Sequence, residues 1–176
     1  MMASSFRLLL AAVMSISILS ALSWEVSAHA QSSSPVAANA QVTFYSNSVS
    51  LFGGMPGSKL AAFKGRIFEG DRQLTFLEPG HFVTFAVPSG PHEFSAAAWF
   101  SKHSSPGAHL TIDTQSGHRY FVECGVTTFG PVFVIREVDC SVAQTVGSRM
   151  KPLEPVHLRP DGKSLFVPQS SFPQCQ

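Results

Sequence analysis

Charge is scarce in this chain. Only 13% of its 176 residues are Asp, Glu, Lys or Arg, about half the usual ~25%. The 12 basic and 11 acidic residues nearly cancel, leaving a formal charge of +1. There is no basic face for nucleic acid and no acidic tail. Cysteine is limited to three residues, and tryptophan and tyrosine to two each. Heptads, solenoid repeats and apolar runs of ~18 residues are missing from 41–146, which excludes coiled coils, repeat arrays and a spanning helix there.

What is present is enough apolar material for a packed core: 44% hydrophobic residues, with 15 phenylalanines. That is too much for a disordered chain.

Residues 1–30 read as an export leader. Arg7 precedes an uncharged apolar run over 8–22, shorter than the ~20 residues a spanning helix needs. The small-x-small triplet Ala28-His29-Ala30 is followed by Gln31. Cleavage between Ala30 and Gln31 is expected, the alternative being an anchor that is retained. The mature chain is then periplasmic or secreted and meets the membrane only in transit. In that oxidising setting Cys124, Cys140 and Cys175 allow one bridge and leave one thiol.

Residues 31–40 are a Ser, Pro, Ala and Asn lead-in. Residues 147–176 carry Pro152, Pro155, Pro160, Pro168 and Pro173, so this tail is expected to be extended or loosely docked. Between them, 41–146 has a period of two. Val83, Phe85 and Val87 share a face, as do Val42 and Phe44. So do Tyr120, Val122, Cys124 and Val126, with Glu123 on the other side. Further strands are expected over 60–63, 66–69, 73–77, 92–99, 108–113 and 132–138. Turn residues separate them, among them Glu69-Gly70-Asp71, Pro79-Gly80, Pro88-Ser89-Gly90-Pro91 and Ser116-Gly117. Ala96-Ala97-Ala98 reads as strand, because it leaves a Pro-Ser-Gly-Pro turn with no helical period. The pattern predicts an all-β fold, a small antiparallel sandwich of about seven or eight strands.

The order of motifs resembles the domain-of-unknown-function family 2846, small β-sandwich domains of exported bacterial proteins. The resemblance rests on Arg66-Ile67-Phe68, the turn Glu69-Gly70-Asp71, and Pro79-Gly80-His81-Phe82. It continues through Val87-Pro88-Ser89-Gly90-Pro91-His92-Glu93-Phe94 and Gly117-His118-Arg119-Tyr120-Phe121-Val122. It spans about 41–145 and implies a sandwich in an exported protein, with no activity attached. The chain departs from the pattern at Glu69-Gly70-Asp71, where Asp-Gly-Lys is usual, and at His81.

In the most specific of these pieces, Pro88 fixes φ, Gly90 permits positive φ, and His92 opens the next strand. The His92 ring is expected to bond the turn backbone and close the corner, the alternative being a ligand contact.

Few constellations carry chemistry. His81, His92, His103, His109 and His118 lie close in sequence, but none has H-x-H, H-x-x-x-H or H-E-x-x-H spacing. His103 and His109 flank a turn, and Asp113 adds a carboxylate, making these three the candidate metal ligands. Ser89 and Ser95 neighbour His92 without G-x-S-x-G. Gly53-Gly54-Met55-Pro56-Gly57 lacks the G-K-[ST] of a phosphate loop. Glu123 and Glu137 are expected on a solvated face.

The cysteines permit a geometric argument. A hairpin of 118–126 with 132–140 sets Cys124 opposite Ile135 and Cys140 opposite Arg119. The two cysteines are then about 16 Å apart along the ladder, beyond the ~7 Å a bridge allows. Cys140–Cys175 is the expected bridge, pinning the tail to the sheet.

Two functional expectations follow. The first is a non-catalytic exported module, without cofactor, that binds or braces an envelope protein or polymer. The alternative is a metal-binding protein or enzyme that uses the histidines of 81–118.

Overall fold

The structure is a computed structural model, and it describes residues 39–47, 60–61, 64–100, 108–127 and 132–175. The leader, the Ala30/Gln31 cleavage site, nearly all of the lead-in, the 48–59 stretch and His103 lie outside the described residues. All described residues belong to the unit Pro35–Gln176.

Alternation builds the strands: β1 (Ala40–Ser46), β2 (Leu60–Ala61), β3 (Gly65–Glu69), β4 (Arg72–Leu77), β5 (His81–Val87) and β6 (Gly90–Ala98). β7 (His109–Thr114), β8 (Arg119–Thr127) and β9 (Phe133–Val138) follow. Gly70 and Gly90 hold φ of 54° and 130° at their turns, a region open to glycine and strained for other residues. β4-β3-β6-β7 form a four-stranded antiparallel sheet. β5, β1 and β8 form the centre of a seven-stranded sheet, with β9 pairing β8. The β8–β9 register sets Cys124 opposite Ile135, as the hairpin argument requires.

The two sheets close on an apolar core. Val42, Phe44, Val83, Phe85, Val87, Val122 and Cys124 from one meet Ile67, Leu74, Phe94, Ala96 and Ile112 from the other. Phe44 stands edge-on to Phe94 at 5.1 Å, a favourable aromatic geometry. The fold is an all-β sandwich.

Three expectations need correction. First, the sheet is not wholly antiparallel: β1 runs parallel to β8, from Gln41↔Arg119 to Ser46↔Cys124. Side-chain alternation is the same in both arrangements, so sequence period does not report strand direction. The strand number is also higher, seven and four in the two sheets. Short pieces that sequence period cannot register, such as β10 (Lys151–Pro152) and β11 (Phe166–Val167), both pair with β5.

Second, the strand expected over 132–140 ends at Val138, so Cys140 does not stand opposite Arg119 in the ladder; the segment after β9 begins instead with a helix, α1 (Cys140–Gly147). It is too short to be stable alone, includes Val142, Thr145 and Val146, and has no side-chain cap. Its stability comes from packing Ala143 and Val146.

Third, the proline-rich tail is folded in place. Pro155 and Pro160 start helical turns, a 3-10 turn (Pro155–His157) and α2 (Pro160–Leu165). Their missing N–H groups cost nothing there. Leu153 and Leu158 join the inter-sheet core. α2 approaches β4 so closely that a Cβ on Gly162 would overlap the Leu74 carbonyl.

Helix α1 and the end of the tail form a third layer, with Met150. They cover the outward face of the seven-stranded sheet, where Tyr45, Phe82 and Phe121 pack with Ala143, Val146, Met150 and Phe172. Cys140 and Cys175 form a disulfide with Cα atoms 5.7 Å apart. The disulfide indicates an oxidising environment. Among the described residues, no helix is long and apolar enough to cross a membrane.

Candidate functional site

The β3–β6 register places Glu69 opposite Phe94, which brings the Glu69 carboxylate to His92. His92 Nδ1 lies 2.6 Å from Glu69 Oε1, and Nε2 lies 2.9 Å from the Pro88 carbonyl. A carbonyl only accepts, so Nε2 donates. Arg72 donates to Glu69 Oε2 at 2.6 Å. Thr114 Oγ1 donates to the carbonyls of Pro88 and Gly90 at 2.7 and 3.1 Å. The corner of Pro88, Gly90 and His92 closes as the sequence suggests. Its anchor, Glu69, was readable only as a turn residue. Both ring nitrogens are engaged by groups of the fold itself.

Glu123 is a correction. It is not on a solvated face: it is 2% exposed, held by Arg136 Nε at 3.0 Å and Nη2 at 2.6 Å. The β8–β9 register pairs these two residues directly. Glu137 is exposed. Burial, followed by the Glu123 carboxylate, pushes the Tyr45 hydroxyl well above its usual range. The same two causes in the same order push up the Cys124 thiol, which stays protonated in the core. The thiolate is the nucleophile, so this thiol is inert.

The two candidate metal ligands among the described residues, His109 and Asp113, do not converge. His109 Nδ1 lies 3.2 Å from Glu93 Oε1, and both side chains are substantially exposed. Asp113 lies opposite Pro91, about 13 Å along β7 from His109. His103 is outside the described residues. His81 Nδ1 donates to the Pro79 carbonyl at 2.9 Å. Among the described residues, no three His, Cys, Asp or Glu side chains gather into a metal-holding group.

Where β8 begins and β9 passes into α1, a cavity of about 430 Å³ is lined by His118, Arg119, Tyr120, Glu137, Asp139 and Cys140, among others. Arg119 Nη1 donates to the Gln174 carbonyl at 2.9 Å. Arg119 Nε and its neighbour across the ladder, Gln41 Oε1, are buried and have no partner among the described residues.

Two features escaped sequence reading. Trp99 and Phe100, 58% and 71% exposed, meet edge-to-face at 5.7 Å at the end of β6. Phe172 sits in a cup of Tyr45, Phe82 and Phe121, with centroids 5.7, 5.2 and 5.7 Å away. The one local signal for the second is Gly147, where a Cβ would overlap the Phe172 ring.

No family model matches the chain, and no curated protein or solved structure does either. The resemblance to family 2846 therefore stands as an expectation of the sequence.

Proposed function

We propose that this chain is an exported, non-catalytic β-sandwich module that binds or braces a cell-envelope or extracellular partner. The leader-like 1–30 segment and the Cys140–Cys175 disulfide support export to the periplasm or beyond.

The observation that carries the contact reading is how the reactive side chains are used. His92 spans Glu69 and Pro88. Glu123 is closed by Arg136. Cys124 is sealed in the core. Each group builds the fold, and what remains for a partner is surface. The Trp99–Phe100 ledge supplies it, since exposed aromatic pairs are over-represented where proteins meet.

The test combines fractionation with site-directed photocrosslinking of the full chain in cells that express it. A photo-reactive residue at Phe100 is expected to trap one partner in the envelope or extracellular fraction, while one at Asp161 does not. Equal trapping from both positions, a cytoplasmic location, or reproducible turnover lost in His109→Ala would overturn the reading.

A further inference from the structure

The two faces of the seven-stranded sheet differ in chemistry. Toward the other sheet they present Val42, Phe44, Val83, Phe85 and Val122, an ordinary apolar interior. The outward face combines Tyr45, Phe82 and Phe121 with Thr43, Thr84 and Glu123, every one buried. Thr43 and Thr84 pair through their hydroxyls at 3.0 Å, and Glu123 pairs with Arg136. The aromatic groups of this face form a second buried cluster, and aromatics and arginine are also the residues enriched where proteins recognise partners.

Beside Ala143 and Val146 of α1 and Met150, part of that face is covered by residues 172–175 in the manner of a bound peptide. Phe172 fills the aromatic cup and is 4% exposed. The carbonyl of Pro173 accepts from Gln144 Nε2, and that of Gln174 accepts from Arg119 Nη1. No strand pairing is described for this segment, and it follows the largely exposed stretch 168–171. One side-chain anchor, two main-chain carbonyls read by side chains and no ladder bonds are how grooves hold extended ligands. A single covalent tie, Cys140–Cys175, completes the attachment, and Cys175 is exposed to solvent.

We propose that residues 172–175 are a tethered ligand. The outward face is a groove for an extended, uncharged segment bearing phenylalanine, and reductive cleavage of Cys140–Cys175 lets such a segment on another polypeptide replace the chain's own. The reductant is a dithiol. One of its thiolates attacks a cystine sulfur and the S–S bond breaks. Its second thiol resolves the mixed disulfide. Cys140 and Cys175 gain two electrons and two protons as thiols, and the dithiol becomes a disulfide. The backbone link alone gives the segment an effective concentration on the order of mM; the bridge holds its second end as well, so reduction lowers the advantage over a competitor rather than creating a free site. This inference does not depend on the Trp99–Phe100 ledge, which lies at the end of the other sheet.

The probe is a fluorescein-labelled peptide, Pro-Gln-Ser-Ser-Phe-Pro-Gln, with the sequence of residues 168–174, and a control with alanine for phenylalanine. Anisotropy is read against the full chain as oxidised wild type, reduced wild type and reduced Phe172→Ala, with hydrogen exchange followed on β1, β5 and β8. The expected result is binding to reduced Phe172→Ala at least tenfold tighter than to oxidised wild type, lost with the control peptide, while those strands stay protected. Equal binding to oxidised wild type, or no binding by a protected Phe172→Ala, overturns the proposal. So does loss of protection in β1, β5 and β8, which would make the ring a brace of the sheet.

Discussion

Glu69 and His92 meet at 2.6 Å across the β3–β6 ladder, and through His92 the carboxylate is linked to the Pro88 carbonyl of the next turn. A side chain from one hairpin thereby sets the corner of another. Glu69 is 8% exposed, so its partners matter more than those of a surface carboxylate. His92→Ala takes away the contact to Glu69 Oε1 and leaves Arg72 on Oε2. A double-mutant cycle of His92→Ala with Glu69→Gln, read by urea unfolding, is expected to give a coupling of about 1–3 kcal/mol. Additive effects would mean that the contact contributes nothing to stability.

The Glu123–Arg136 pair is buried on the carboxylate side, with side-chain exposures of 2% for Glu123 and 35% for Arg136. Removing only the cation takes the ion-pair partner from a buried carboxylate. Arg136→Met is expected to cost about 3–5 kcal/mol, and Arg136→Met with Glu123→Gln distinctly less. Chemical denaturation of the two variants checks the order. A double variant as unstable as the single would place the loss in packing of the arginine stem.

Cys124 and Tyr45 both hold their protons more tightly in the folded chain, through burial first and Glu123 second. Unfolding lets them ionise at ordinary values. Stability is therefore full below ~8.5, the unfolded thiol's pKa, and falls as pH rises past it. Tyr45 adds its own decline above ~10. Each group contributes a slope approaching about 1.4 kcal/mol per pH unit. Denaturant titrations from neutral to alkaline pH should show the fall, and Cys124→Ala should remove its first part. Native protein should also resist iodoacetamide until it is unfolded.

Gly147 and Phe172 are a matched pair. Alanine in a helix is normally better than glycine by about 1 kcal/mol. Here a Cβ would overlap the Phe172 ring, so Gly147→Ala is expected to destabilise by about 1–3 kcal/mol. In a Phe172→Ala background the same change should be neutral or favourable, as thermal unfolding would show. Destabilisation in both backgrounds would point to the helix backbone instead.

The disulfide spans 35 residues. On loop-closure entropy, a bridge of that span is worth about 4 kcal/mol. Cys175→Ser should lower unfolding free energy by up to that amount, with less loss if the reduced chain keeps residual structure. An unchanged denaturation midpoint would show that the tail holds without its tie.

The longer strands and their inward face are legible in the sequence alone. Val83, Phe85 and Val87 alternate with polar or small neighbours, and that period alone assigns them to a core. The β8–β9 register was legible too, because a short hairpin leaves few alternatives: Cys124 faces Ile135, whereas the turn of the chain into α1 at Cys140 was not legible. Glu123 was misread for the opposite reason. Alternation says which residues share a face, but not whether something covers that face.

What the sequence determined by itself is local: alternation, turn residues and cysteine spacing, each of which acts over a few neighbouring positions. Tertiary structure alone decided the parallel placement of β1 beside β8, the pairing of Glu69 with His92, and the third layer in which Phe172 seals an aromatic face. Those contacts join residues far apart in the chain. Their energy comes from burial and hydrogen bonds that exist only once the sheets have formed, so no local pattern encodes them.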